Sequence, residues 1–151
     1  MNKINYFLDR EYDRIRNGGN CVYCGRDATG WDHFFPLCYA RVLLHIERAR
    51  SALFLLECCT KCNTYVGSRP SWDFAERATK VQIKGTRWLP ENNKCIGILT
   101  QIKLDPLALA DENIVWPRLH RSSLVYWLES PEVQTKISLA KSVPIGHAPN
   151  A

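Results

Sequence analysis

No apolar run in the 151 residues approaches the ~18 that a membrane-spanning helix needs, so no such helix is expected. The opening Met1-Asn2-Lys3-Ile4-Asn5 lacks the apolar core of a signal peptide. Without either feature the expected location is the cytoplasm, with no membrane partner. Charge of one sign is also scarce. With 20 Lys/Arg against 15 Asp/Glu, the net charge is only +5, which permits nucleic-acid binding without requiring it. There is no internal repeat and no low-complexity tract. An even set of cysteines is missing too. Seven cannot all pair, and a reducing compartment disfavours disulfides. Metal binding is the better use for the paired ones.

The rest of the composition, 46% hydrophobic and 23% charged, is that of an ordinary globular protein. The length suits one domain, or one domain with an appendage. Residues 21 to 69 hold the densest signal. Cys21 and Cys24 form one Cys-x-x-Cys pair, followed by Gly25. Two intervening residues let both sulfurs face one ion, and Gly tolerates the tight turn. Cys59 and Cys62 repeat the spacing 38 residues later. Cys58-x3-Cys62 is a competing register, and the repeated spacing favours Cys59. Duplicated knuckles of this kind predict a structural zinc ion on Cys21, Cys24, Cys59 and Cys62.

Around the knuckles the periodicity gives a coarse map. Ile4, Leu8 and Ile15 share a helical face, so a helix is expected over 3–17, stopped by Gly18-Gly19. Its charges suit a solvated outer face, with phosphate contact by Arg14 or Arg16 as the sharper reading. A short strand is expected over 28–33, a helix over 37–50 carrying Cys38 and His45, and a buried strand over 52–57. A helical turn should run from Asn63 toward Gly67. Ser71 then reads as the N-cap of a helix reaching Lys84, with Phe74, Ala78 and Val81 as its buried stripe. Arg77, Lys80 and Lys84 share another face. Residues 70–104 hold six Lys/Arg against three Asp/Glu. That face, with Arg69, is the expected contact to a nucleic-acid backbone. Residues 96–104 read as strand or short helix, and 121–140 as helical pieces broken at Pro131. Trp116 to Arg121 mixes aromatic and basic residues, for which core packing of the Trp is the simpler reading. The tail from Pro144 is expected to be disordered.

Three residues can do chemistry together: Asp32 and His33 between the knuckles, and Asn63 directly after the second. Cleaving a phosphodiester requires that water lose a proton and that charge on the phosphate be neutralised. A neutral imidazole such as His33 can take the proton near pH 7. A hard divalent ion, magnesium or similar, takes oxygen ligands such as the Asp32 carboxylate and the Asn63 amide. Adjacent strand residues face opposite sides. Asp32 and His33 therefore meet at one site only if the strand bends or stops there, which Pro36 favours. Zinc on Cys62 would fix where Asn63 points.

These residues resemble the HNH nucleases, the ββα-metal finger family. The family pattern is met by Cys21 and Cys24, Asp32-His33 to Pro36, Cys59 and Cys62-Asn63, and Gly67. The resemblance covers roughly residues 20–84 and implies a small zinc-stapled finger over 21–85; with the helix read in the N-terminal segment 1–20 and a mostly helical extension of unassigned role over 86–151, the expected fold class is α+β. It implies His33 as general base, Asp32 and Asn63 as ligands of the catalytic divalent ion, and double-stranded DNA as substrate, cut to leave a 5′-phosphate. Two positions depart from it. Phe54 stands where the family often has an Asn, and Val66 where a Lys commonly precedes the closing Gly. These departures motivate a second reading, a weak or inactive zinc module that binds DNA or protein. A thiol redox protein is a third, though the strand and helix that should flank its Cys-x-x-Cys are missing. The extension is a candidate surface for a protein partner or for self-association.

Overall fold

The computed structural model describes residues 10–36, 46, 50, 52–67, 70–83, 93–110 and 121–142. Three strands form one sheet: β1 (Asp13–Ile15), β2 (Gly30–His33) and β3 (Phe54–Cys58). The order is β1-β3-β2, with β1 parallel and β2 antiparallel to the central strand. Phe-Leu-Leu-Glu-Cys is nearly continuous in apolar residues and buried at all but Phe54, as suits a strand flanked on both edges. With helices following it, the architecture is α+β, as expected.

β1 corrects one expectation. Residues 13–15 belong to a strand, not to the end of a helix. Local periodicity favoured a helix, but pairing with Phe54–Leu56 satisfies the second edge of β3, and tertiary pairing outweighs a weak local preference.

The register fixes which side chains share a face. Directly paired residues lie on the same side of a sheet, and neighbours alternate. Ile15, Leu56 and Asp32 form one row; Arg14, Leu55 and His33 form another on the opposite face.

Helix α1 (Thr60–Val66) begins at Cys59, whose sulfur accepts the Cys62 N–H at 3.4 Å, and ends at Gly67 with φ 64°, a conformation that favours glycine. Helix α2 (Phe74–Ile83) starts three residues later than the expected Ser71 cap. Asp73 is its cap instead, accepting the Glu76 N–H at 2.9 Å, while the Glu76 carboxylate accepts the Trp72 N–H at 3.1 Å. This is a near-relative of the reciprocal capping box. Ser71 is buried and its hydroxyl takes the Lys80 ammonium at 2.9 Å. Phe74, Ala78 and Val81 are buried as expected.

The later part of the chain is helical where described: α3 (Ile96–Leu99), α4 (Pro106–Leu109), α5 (Arg121–Leu128) and α6 (Pro131–Ser142). Pro106 and Pro131 each stand at the first helical position, where a missing N–H costs nothing. The 96–104 segment resolves into α3 followed by an extended stretch that bridges Lys103 to Asp73. These elements are not a separate appendage. Leu99, Leu104, Leu124, Trp127 and Val133 join one buried cluster with Tyr12, Val22 and Leu56. Asn93 reinforces the join: its amide donates to Val22 O at 2.7 Å, and its oxygen accepts from Asn17 at 3.1 Å. Among the described residues no helix is long and apolar enough to cross a membrane. All but Ile46 and Arg50 of the expected 37–50 helix, together with Trp116 to His120 and the tail, lie outside the described residues.

Candidate metal centre and catalytic face

The first knuckle is a closed loop. Asn20 bridges to Asp27, Cys21 N–H donates to Arg26 O at 2.6 Å, and Gly25, at φ 77°, donates to Cys21 O at 3.0 Å. Val22 N–H then donates to Glu57 O at 2.9 Å. That bond docks the loop on the end of β3, where the second knuckle starts. The consequence is a cluster of four sulfurs, Cys21, Cys24, Cys59 and Cys62, all within 4.8 Å of one another. Tetrahedral zinc with ~2.3 Å bonds to sulfur sets the sulfurs about 3.8 Å apart, and Cys24 to Cys59 is 3.6 Å. The donors fit a structural zinc ion. The register question is settled for Cys59.

Cys58 stands just outside the four. Its single thiol proton can go to the Cys59 carbonyl oxygen at 3.3 Å or to the Cys21 sulfur. Donation to Cys21 holds that thiol well below its ordinary range, against the pull of burial. Burial, and then the Cys21 charge, push Cys62 upward, and burial does the same to Cys24.

Asp32 is not on the surface. It and Arg77 are each 1% exposed. Arg77 Nε donates to Asp32 Oδ2 at 2.8 Å, Arg77 Nη2 donates to Oδ1, and the Tyr23 hydroxyl donates to Oδ2. Burial is the largest single influence and works against the Arg77 charge, but Asp32 and Tyr23 together hold the guanidinium above its usual range. Burial and then Asp32 likewise raise Tyr23, which stacks on Phe74 at 5.5 Å. Both carboxylate oxygens are thus engaged by a cation already in the fold. The arrangement does not fit a divalent ion held by Asp32 and Asn63. Among the described residues, the four cysteines are the one metal-ligating cluster of His, Cys, Asp or Glu side chains.

His33 faces the other way. β2 stays regular through Asp32–Leu56 and His33–Leu55, so the strand does not bend in time to bring the two side chains together. Pro36 comes too late. His33 is half-buried, with the Tyr12 ring edge-on at 5.2 Å. Its backbone oxygen accepts from Arg77 Nη2 at 3.1 Å. Phe34 N–H points inward to Phe54 O, so alternation leaves the Trp31 and His33 carbonyls on the open edge of β2. Asn63, exposed on α1, donates its amide to the Trp31 oxygen at 3.4 Å. Side chains from α1 and α2 therefore close the edge strand. Asn63 also lines a cleft of about 250 Å³ with Thr29, Gly30, Cys58, Thr60 and Thr64. The structure brings Asn63 to β2, and separates Asp32 from His33.

The expected basic face on α2 is corrected as well. Arg77 is sealed inside, and Lys80 is tethered to Pro70 O and Ser71 Oγ at 3.2 and 2.9 Å. Arg69 and Lys84 lie outside the described residues. Two exposed arginines, Arg14 and Arg16, stand instead on the His33 side of the sheet. Arg14 and Arg16 both reach across β3 to Trp31, their guanidinium carbons 5.3 and 5.7 Å from its ring centre. The signal for this was present as strand period, Arg-x-Arg and Trp-x-His, but is invisible when residues 3–17 are read as a helix. Compared with known proteins, the chain matches no family model, no curated protein and no solved structure.

Proposed function

We propose that the chain is a nucleic-acid phosphodiesterase of the zinc-stapled HNH type, with His33 as its general base. One observation carries the reading. The four-sulfur cluster joins the lead-in to β2 and the exit of β3 at one end of an antiparallel pair that is followed by a helix, and this clamped unit carries His33 on β2 and Asn63 against the same strand. That order of knuckle, strand, strand, knuckle and helix agrees with the ββα-metal finger that the sequence resembles. In the reaction His33 takes a proton from water. The water oxygen bonds to phosphorus, the bond to the leaving oxygen breaks, and that oxygen takes a proton from solvent. Arg77 acts as a positioning residue by holding the His33 backbone. DNA is the substrate the resemblance favours.

Zinc-loaded protein incubated with supercoiled DNA should relax or linearise it, and His33→Ala should lose roughly 10²–10⁴ in rate while keeping its zinc. Equal rates for the two proteins would remove His33 from the chemistry. The Asp32–Arg77 pair favours a second reading, a zinc module that binds nucleic acid without cutting. It is distinguished by tight binding with no turnover across magnesium, manganese and nickel.

A further inference from the structure

Three features of the His33 side of the sheet have a joint consequence. Asp32 is turned to the opposite face and bound to Arg77, so no carboxylate from the Asp-His pair is available beside His33. Arg14 shares a row with His33 across Leu55, and Arg16 is two residues further along the same face. Both arginines are exposed, and both rest on Trp31, which limits the freedom they lose on binding a ligand. Glu57, the acidic residue paired with Trp31 on this face, is 9% exposed, and its Oε2 accepts the N–H groups of Asn17 and Gly19, the latter at 2.9 Å. It is directed into the 17–19 turn rather than at the guanidinium groups. A planar, permanently charged pair on an aromatic ring matches the non-bridging oxygens of a phosphodiester.

We propose that Arg14 and Arg16, rather than a divalent ion on Asp32, supply the positive charge beside His33, and that the nucleic-acid backbone docks on the face formed by Arg14, Arg16, Trp31 and His33. The proposal rests on the reading of His33 as the reacting group and assigns the surface that faces it. Charge neutralisation at phosphorus then comes from two guanidinium groups. The proton still goes to His33, and the leaving oxygen still takes one from solvent.

The test uses the full chain carrying one zinc and dialysed free of other divalent ions. Fluorescence anisotropy of a labelled duplex and of a labelled single strand is followed across a salt series without magnesium. Binding is expected under these conditions. The double variant Arg14→Gln, Arg16→Gln should bind several-fold more weakly. Its log–log salt slope should fall by about 1.8 on duplex or about 1.4 on single strand, ~0.9 or ~0.7 per lost phosphate contact. Both side chains are exposed, so the variant should keep its zinc and its melting temperature. Arg14→Lys, Arg16→Lys should restore most of the slope. In parallel, Mn²⁺ is titrated into parent protein and Asp32→Asn under electron paramagnetic resonance, and no stoichiometric site is expected in the parent. An unchanged slope in the glutamine variant overturns the proposal. So does a stoichiometric Mn²⁺ site that is lost in an Asp32→Asn protein still carrying its zinc, an outcome that leaves the nuclease reading intact. If instead the slope falls as expected but His33→Ala cuts as fast as the parent, the docking face stands and the general-base reading fails.

Discussion

Arg77 stands at the i+3 position of a stripe formed by Phe74, Ala78 and Val81, so its Cβ points into the core with theirs. A charge there persists only with a partner, and Asp32 is that partner. Removing one member of such a pair strands the other in a dry environment, at a cost of about 3–5 kcal/mol. Arg77→Ala should therefore lower the unfolding free energy of the zinc-loaded protein by that amount in urea titration. A surface arginine that touched only a nucleic-acid backbone would change it by roughly 0.5 kcal/mol or less. The same pair explains why charge type alone misplaces Arg77. Sequence shows a guanidinium beside Lys80 and Lys84. It does not show the carboxylate that arrives from 45 residues away.

At the scale of elements, legibility followed how local the cause was. The cysteine knuckles, β3, the Gly67 stop, the apolar stripe of α2 and the Pro131 start of α6 each have their signal within a few residues, and each was readable. β1 was not, because its cause is the free edge of a strand some 40 positions later. The Asp32–His33 divergence follows from β2 keeping its pleat to the end, which depends on pairing with Leu55 and Leu56 and not on Pro36. The start of α2 lies between these cases. Ser71 and Asp73 are both good caps by type, and burial of Ser71 against Lys80 decides for Asp73. Asp73→Ala should cost about 1 kcal/mol through loss of the cap, read as a lower urea midpoint at constant slope. If Asp73→Ala leaves the midpoint unmoved, the helix does not depend on this cap.

For the whole molecule the question is how far the metal centre reaches. Cys21 and Cys24 flank Val22, whose oxygen is held by Asn93, and Val22 itself belongs to the buried cluster that runs on to Ile137. The knuckles and the later helices therefore share side chains, and loss of one should be felt by the other. Acid supplies a clean way to withdraw the ion, because ligand sulfurs must be deprotonated to hold it. Burial pushes the Cys24 and Cys62 thiols upward, so protons compete for them, and affinity for zinc should fall steadily as pH drops below neutrality. Zinc release, followed with a chromophoric chelator, should coincide with loss of far-UV circular dichroism in a single transition. Cys59→Ser should abolish stoichiometric zinc and shift the apoprotein to that less stable state at neutral pH, whereas Cys58→Ser should keep one zinc per chain. If zinc leaves while the helical signal stays, the extension is held by its own packing. The sulfur cluster would then staple only the strands that carry His33.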